Sequence, residues 1–235
     1  MTTIMVIALT VALLETFLLG CQAWEHRRRA RRRLASPPCA PPAGQIALIA
    51  PCKGCDLELR ENLQSLFAQR NVDYQIAFVV EDVRDQAVPV IDDLIRRHRG
   101  VEATIVFAGR SRGACQKVHN LLAGVASLPP AVTTLAFVDS DARPGADWLR
   151  SLVQRLAQPG VGAATGYRWF LPRRPTLANY LLYSINATAA SLYTPKSFQP
   201  IWGGSWAMRR DLFEQLDVAA AWRDKLTDDL VVTNV

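Results

Sequence analysis

Between residues 45 and 138 the chain repeats one pattern. A short unbroken apolar run is followed by a longer stretch in which apolar positions recur every three or four residues. The runs are Ile46-Ala-Leu-Ile-Ala50, Ile76-Ala-Phe-Val-Val80, Thr104-Ile-Val-Phe-Ala108 and Thr134-Leu-Ala-Phe-Val138. Runs without polar alternation suit strands covered on both faces, as parallel strands are. Between them, Asp56 opens a helical pattern carrying Leu59, Leu63, Leu66 and Phe67, and residues 88–95 and 118–125 read as the next two helices. Strand and helix alternating at this spacing predict an α/β domain, its sheet mainly parallel with helices on both faces.

In such sheets ligands bind beyond the carboxyl ends of the strands. That is where this chain keeps its unusual residues: Lys53, the acidic cluster at 81–85, the arginines at 110 and 112, and Asp139 with Asp141. No GxGxxG or Walker-type loop follows any strand, which disfavours a dinucleotide-binding domain or a P-loop NTPase. Further along, the stretch GYRWF at 166–170 reads as a strand with packed aromatics. Leu177, Tyr180, Leu181, Ser184, Ile185, Thr188 and Leu192 share one helical stripe. That stripe suits a helix covering the sheet and equally one facing a lipid or a bilayer.

A different pattern opens the chain. Residues 4–23 form a 20-residue apolar stretch, about the ~20 residues a helix needs to cross a bilayer. Glu15 and Gln22 weaken that reading, because a carboxylate is costly in hydrocarbon. No basic residue precedes the stretch, as one would in a cleaved signal peptide. Six arginines follow it within 27–33. A membrane anchor over 1–24 is therefore expected, and positive charge marks the cytoplasmic side, placing the following domain in the cytoplasm. The rival is an amphipathic helix lying on the membrane. The basic residues and the prolines at 37, 38, 41 and 42 make 25–44 a basic, Pro-rich linker, with the domain proper over 45–235.

Charge and cysteines then narrow the classes. The chain holds 27 Lys and Arg against 21 Asp and Glu. Setting aside the six arginines of 27–33 leaves 21 against 21, so the body is neutral and nucleic acid is excluded as a partner. Five cysteines without a repeating spacing do not make a disulfide framework. Cys52-Lys-Gly-Cys55 lacks the second ligand pair that zinc requires, so reduced structural thiols are expected.

Asp139-Ser140-Asp141 ends the fourth apolar run and Pro144 closes the turn behind it. Two carboxylates at i and i+2 reach one ligand only where a strand gives way to a turn. An oxygen-only pair of this kind suits Mg2+ or Mn2+ bridging to phosphates. Taken alone, a solvated turn is the commoner reading of Asp-x-Asp.

Ordered motifs change that reading. PCKGCDLELRENLQSLFAQ, FVVEDVRDQA, KVHNLLAG, FVDSDARPGADWLRSLV, VGAATGYRWF, WGGSWAMRRDLF and LTDDLVVT follow one another from Pro51 to Thr233. In that order they resemble the inverting nucleotide-sugar glycosyltransferases of the GT-A fold, a Rossmann-like sheet, and within them the ceramide-glucosyltransferase-like branch. The resemblance implies that Asp85 helps hold the nucleotide, that Asp139 and Asp141 contact the metal and the diphosphate, and that Asp229 of the pair Asp228-Asp229 is the general base. It also implies that Lys53 and Lys117 lie near the nucleotide or its phosphates, with Trp202, Gly203, Gly204 and Ser205 on the acceptor side. The implied reaction moves a hexose from a UDP-sugar to the hydroxyl of a membrane lipid. A lone base without a covalent nucleophile makes this a single displacement with inversion, unlike hydrolases with paired carboxylates.

Thr227-Asp-Asp before an apolar run is also a helix-start signal, and capping does not exclude catalysis. The family carries a further Gln/Arg-x-x-Arg-Trp motif and membrane helices beyond the third aspartate. Because the chain ends at Val235, it is expected to be C-terminally incomplete. A polysaccharide synthase, and a catalytically inactive relative that only binds nucleotide or membrane, are the alternatives.

Overall fold

The computed structural model describes residues 2–35, 40, 44–170, 172–191 and 200–235. Its body is a six-stranded sheet: β1 (Gln45–Pro51), β2 (Tyr74–Val80), β3 (Glu102–Phe107), β4 (Val132–Val138), β5 (Ala163–Thr165) and β6 (Ser205–Arg209). The strand order is β3-β2-β1-β4-β6-β5. β1 runs parallel to both β2 and β4, and β2 runs parallel to β3, while β6 is antiparallel to β4 and β5. The chain winds outward from β1 to β3 and then returns to place β4 on β1's other side. That reversal opens a crevice between the carboxyl ends of β1 and β4, the place where sheets of this kind take their ligands.

Helices cover both faces. Ile46, Leu48 and Ala50 of β1 point into one core, shared with α2 (Leu59–Leu66), α3 (Ala87–Arg97) and α5 (Trp148–Val153). Ala47 and Ile49 point into the other, shared with α4 (Gln116–Ala126), α7 (Arg210–Gln215), α8 (Val218–Trp222) and α9 (Asp229–Asn234). Pleating sends successive side chains to opposite faces, so an unbroken apolar run fills two cores at once. In the second core Phe137 stacks on Trp206 with ring centroids 4.1 Å apart, and Trp222 meets both edge-on. Both tryptophans are fully buried.

Two expectations need correction. The first helix starts at Leu59 rather than Asp56, because residues 56–58 form a turn closed by the Leu59 amide on the Asp56 carbonyl. The GYRWF stretch is not a strand. β5 ends at Thr165, and the Gly166 amide on the Ser205 carbonyl is the last rung it shares with β6. Asn186 captures the segment instead: its side-chain oxygen accepts from the Phe170 amide and its amide group donates to the Arg168 carbonyl.

The basic stretch is helical as far as Ala35, since α1 runs unbroken over Thr2–Ala35. Arginine and alanine are good helix formers, and Arg28 pairs with Glu25 one turn back at 2.8 Å. Of the two readings open for the 177–192 stripe, covering the sheet is not the one the described residues show. α6 (Leu177–Ser191) leaves Leu177, Tyr180, Leu181 and Ile185 more than half exposed. Leu192 lies outside the described residues.

Candidate active site

At the end of β4, Asp139 is held by its own amide on the Gly204 carbonyl, where β6 begins. Its carboxylate pairs with the Lys117 ammonium at 2.8 Å. Lys117 sits in the first turn of α4, and the same ammonium reaches Asp228 at 3.1 Å, just before α9. One lysine thus joins residues that are far apart in sequence. Burial opposes its charge, but the two carboxylates outweigh burial and raise its pKa. Asp228 is 4% exposed, and one of its carboxylate oxygens is buried without a hydrogen-bond partner. Burial raises the pKa of its carboxyl, and the Lys117 charge offsets that only in part.

Asp229 is the more accessible of the pair. One of its oxygens accepts from the Gly203 amide at 3.1 Å and the other from the Leu230 amide at 2.8 Å. Gly203 has no room for a side chain: a Cβ there would stand 3.0 Å from Asp228 Oδ2 and 3.1 Å from Asp229 Oδ2. The Trp202-Gly203-Gly204 turn can therefore press its backbone against both carboxylates. Ser205 is buried behind this turn, its hydroxyl accepting from the Trp148 indole at 2.9 Å.

A second group lies on the neighbouring strands. Asp85 follows β2 and accepts from the amides of Gly54 at 2.9 Å and Ala87 at 2.8 Å, tying the loop after β1 to the start of α3. Lys53 is exposed in that loop, beside the crevice between β1 and β4. Cys52 is buried at the root of the loop, its thiol pushed up to about 12 by burial and then by the nearby Asp85 charge. Cys52 and Cys55 are both free thiols.

Asp141 takes another partner: Arg168 holds it at 2.6 Å. Arg168 also lies over the Trp202 ring, 5.9 Å from its centroid. Sequence reasoning did not place Arg168 in the site, because it sat in a stretch read as an aromatic strand. Its sign and its position shortly after β5 were the signal available. Trp148, Thr165 and Asn186 were missed as well. Thr165 accepts from the Trp202 amide at 2.9 Å. A larger hollow, about 440 Å³ and lined by Pro130, Thr133 and Arg210, lies at the opposite end of β4 and shares none of these groups.

Among the described residues no group of three or more His, Cys, Asp or Glu side chains stands ready around a cation. The two aspartates offer hard oxygen donors. In this arrangement the lysine and the arginine supply the positive charge that those oxygens attract. A divalent ion therefore fits the donor chemistry at Asp139 and Asp141 once those side chains turn toward phosphate.

A sheet that reverses between β1 and β4, with β6 antiparallel beyond β4, has the layout of the GT-A fold. The chain belongs to glycosyl transferase family 21, whose model matches residues 4–235. It is similar to ceramide glucosyltransferase 1 of Caenorhabditis elegans, 32% identical over 77 residues, and to ceramide glucosyltransferase 3 of the same organism, 30% identical over 77 residues. Each match takes in 33% of this chain and spans 16% and 17%, respectively, of those relatives. Among solved structures it resembles the mannosyltransferase PcManGT from Pyrobaculum calidifontis, in complex with GDP-Man and Mn2+. That likeness has a TM-score of 0.55 at 20% identity, covering 89% of this chain and 62% of the other, and it speaks for the fold.

Proposed function

We propose that this protein moves a hexose from a UDP-sugar to the hydroxyl of a membrane lipid, with inversion at the anomeric carbon, on the cytoplasmic face of a membrane. The observation that carries the reading is the position of Asp229. It is an accessible carboxylate oriented by the Gly203 amide, next in the chain to Asp228, which shares Lys117 with Asp139. The ceramide glucosyltransferases among the relatives support a lipid acceptor. A mainly apolar helix of 23 residues at Thr3–Glu25, long enough to cross a bilayer, supports the membrane setting.

In this reading Asp85 and Lys53 bind the nucleotide at the ends of β2 and β1. Asp139 and Asp141 would hold Mg2+ or Mn2+, an ion that neutralises charge on the leaving diphosphate when bound. PcManGT, the structural neighbour, was solved with Mn2+ and a nucleotide sugar. Lys117 adds a fixed positive charge to the same end of the substrate, where it counts for more than it would in water. Trp202, Gly203 and Gly204 line the acceptor side, with Ser205 bracing them from behind.

Asp229 takes the proton of the acceptor hydroxyl as its oxygen attacks the anomeric carbon. The new carbon–oxygen bond forms as the sugar–phosphate bond breaks, and UDP departs with the bonding electrons. Asp228, buried and paired to Lys117, holds the start of α9 so that Asp229 faces the crevice.

The full chain in phospholipid vesicles is expected to release UDP from a UDP-sugar when a hydroxyl lipid and a divalent ion are present. Asp229→Asn keeps the shape and one of the two amide contacts but cannot accept the proton. Transfer should fall by a factor of about 10²–10⁴, the usual contribution of a general base, while UDP binding measured by calorimetry persists. Undiminished transfer by that variant sinks the assignment.

A further inference from the structure

Beside Trp202, a cleft of about 240 Å³ opens between α6 and the segment that follows β5. Phe170, Leu182, Ile185 and Trp202 give it apolar walls, and the polar Arg168 and Asn186 line it as well. Its one end is fixed to the chemistry, since Trp202 precedes the glycine that holds Asp229, and Arg168 joins the cleft to Asp141. The opposite wall is α6, whose hold on the body is centred on the buried Asn186.

The outer side of α6 is apolar, and no described residue covers it. Leu177 is 78% exposed and Leu181 57%. The polar groups on that side are satisfied within the helix: Ser184 donates to the Tyr180 carbonyl at 2.9 Å and Thr188 to the Ser184 carbonyl at 2.8 Å. Hydroxyls folded back in this way are how helices carry Ser and Thr into hydrocarbon. α1 does the same, with Thr10 on the Val6 carbonyl and Thr16 on the Ala12 carbonyl, both at 2.8 Å. Just before α6 stand the exposed Arg173 and Arg174, placed to meet lipid phosphates.

We propose that this cleft is the subsite for the hydrocarbon tail of the lipid acceptor, and that the outer face of α6 rests in the bilayer from which that lipid comes. The proposal rests on the transferase reading and extends it. A lipid whose tail lies between Leu182, Ile185 and Trp202 presents its hydroxyl on the Gly203 side, within the field of Asp229. The same arrangement spares the tail from water while the headgroup reacts.

The test uses the full chain in phosphatidylcholine vesicles with a long-chain lipid that bears a free primary hydroxyl and a diazirine near the end of its tail. After irradiation, peptide mass spectrometry should find the label on residues 182–189 and on Trp202, competed away by the same lipid without the diazirine. Leu182→Glu combined with Ile185→Glu should remove that labelling and raise KM for the long-chain acceptor about tenfold or more, with kcat changed far less. Thermal melting and UDP affinity of the double variant report whether it folds. Labelling confined to other residues overturns the proposal, as does an unchanged KM, or a cross-link of α6 to a second copy of the chain in place of lipid. If no acceptor yields UDP, the transferase reading fails, while the label map still decides the cleft.

Discussion

Lys117 is the residue on which the site's electrostatics turn, because among the described residues it is the cation that Asp139 and the buried Asp228 share. Lys117→Ala removes that cation and leaves Asp228 buried with an unpaired charge. Losing one partner of a buried pair costs ~3–5 kcal/mol when both are fully buried. The Lys117 side chain keeps 31% of its exposure, so a loss of about 2 kcal/mol is expected. The sign with pH follows from the direction of the shifts. Asp228 and Lys117 both have raised pKa values in the fold. A raised group stabilises the fold fully below its unfolded pKa, and that contribution is lost as pH rises through the folded value. For Lys117 the loss falls on the alkaline side, above the ordinary lysine range. For Asp228 it falls on the acid side, so near neutral pH its ionised carboxylate depends on Lys117. Melting temperatures across pH should therefore show Lys117→Ala well below the wild type at neutral pH and approaching it in mild acid, as Asp228 takes up its proton. A gap that stays constant across pH would contradict this.

Among the elements, α4 shows what brings Lys117 to β4. It packs flat on the sheet at Gly124, where a Cβ would stand 2.8 Å from Ile49 Cγ2 and 2.9 Å from Val79 Cγ2. Both neighbours are β-branched side chains of central strands and have little freedom to yield. Gly124→Ala gains about 1 kcal/mol of helix propensity but meets overpacking that costs about 1–3 kcal/mol. A net loss is expected in urea denaturation, and a larger one for Gly124→Val. Because α4 carries Lys117 at its other end, these variants should also weaken UDP binding in proportion to the helix's displacement. The four parallel strands were legible in the sequence, since a run such as Ile46 to Ala50 admits few other readings. β5 and the segment after it were not, because what ends β5 is the absence of further β6 backbone beyond Ser205, and what shapes 166–170 is a single distant asparagine.

At the scale of the whole molecule, two apolar surfaces among the described residues lie outside the packed domain: α1, and the outer face of α6. α1 is 34 residues long, which at 1.5 Å per residue is about 50 Å, enough to cross the ~30 Å hydrocarbon core with its arginines beyond it. Removing residues 2–35 should move most of the protein out of the vesicle pellet on centrifugation. A residual fraction should stay bound through α6 and be lost when Leu181→Glu is added. Complete loss of vesicle binding on removal of α1 alone would show that α6 holds no lipid surface.

By itself the sequence determined the layering of the domain and the order of its acids. Unbroken apolar runs with helical periods between them can bury their side chains in few ways other than a parallel sheet covered on both faces. Motif order supplied Asp85, Asp139, Asp141 and Asp229 as candidates. It could not say which cation each acid would meet. Tertiary structure decided that Lys117 bridges Asp139 to Asp228, that Arg168 takes Asp141, and that Gly203 yields its space to two carboxylates. These contacts join residues 22 to 111 positions apart, and such a pairing is set by how helices dock on the sheet rather than by any local period. The exposed α6 was decided the same way: its apolar stripe fits a core equally well, and only the tertiary structure shows that no core of described residues covers it.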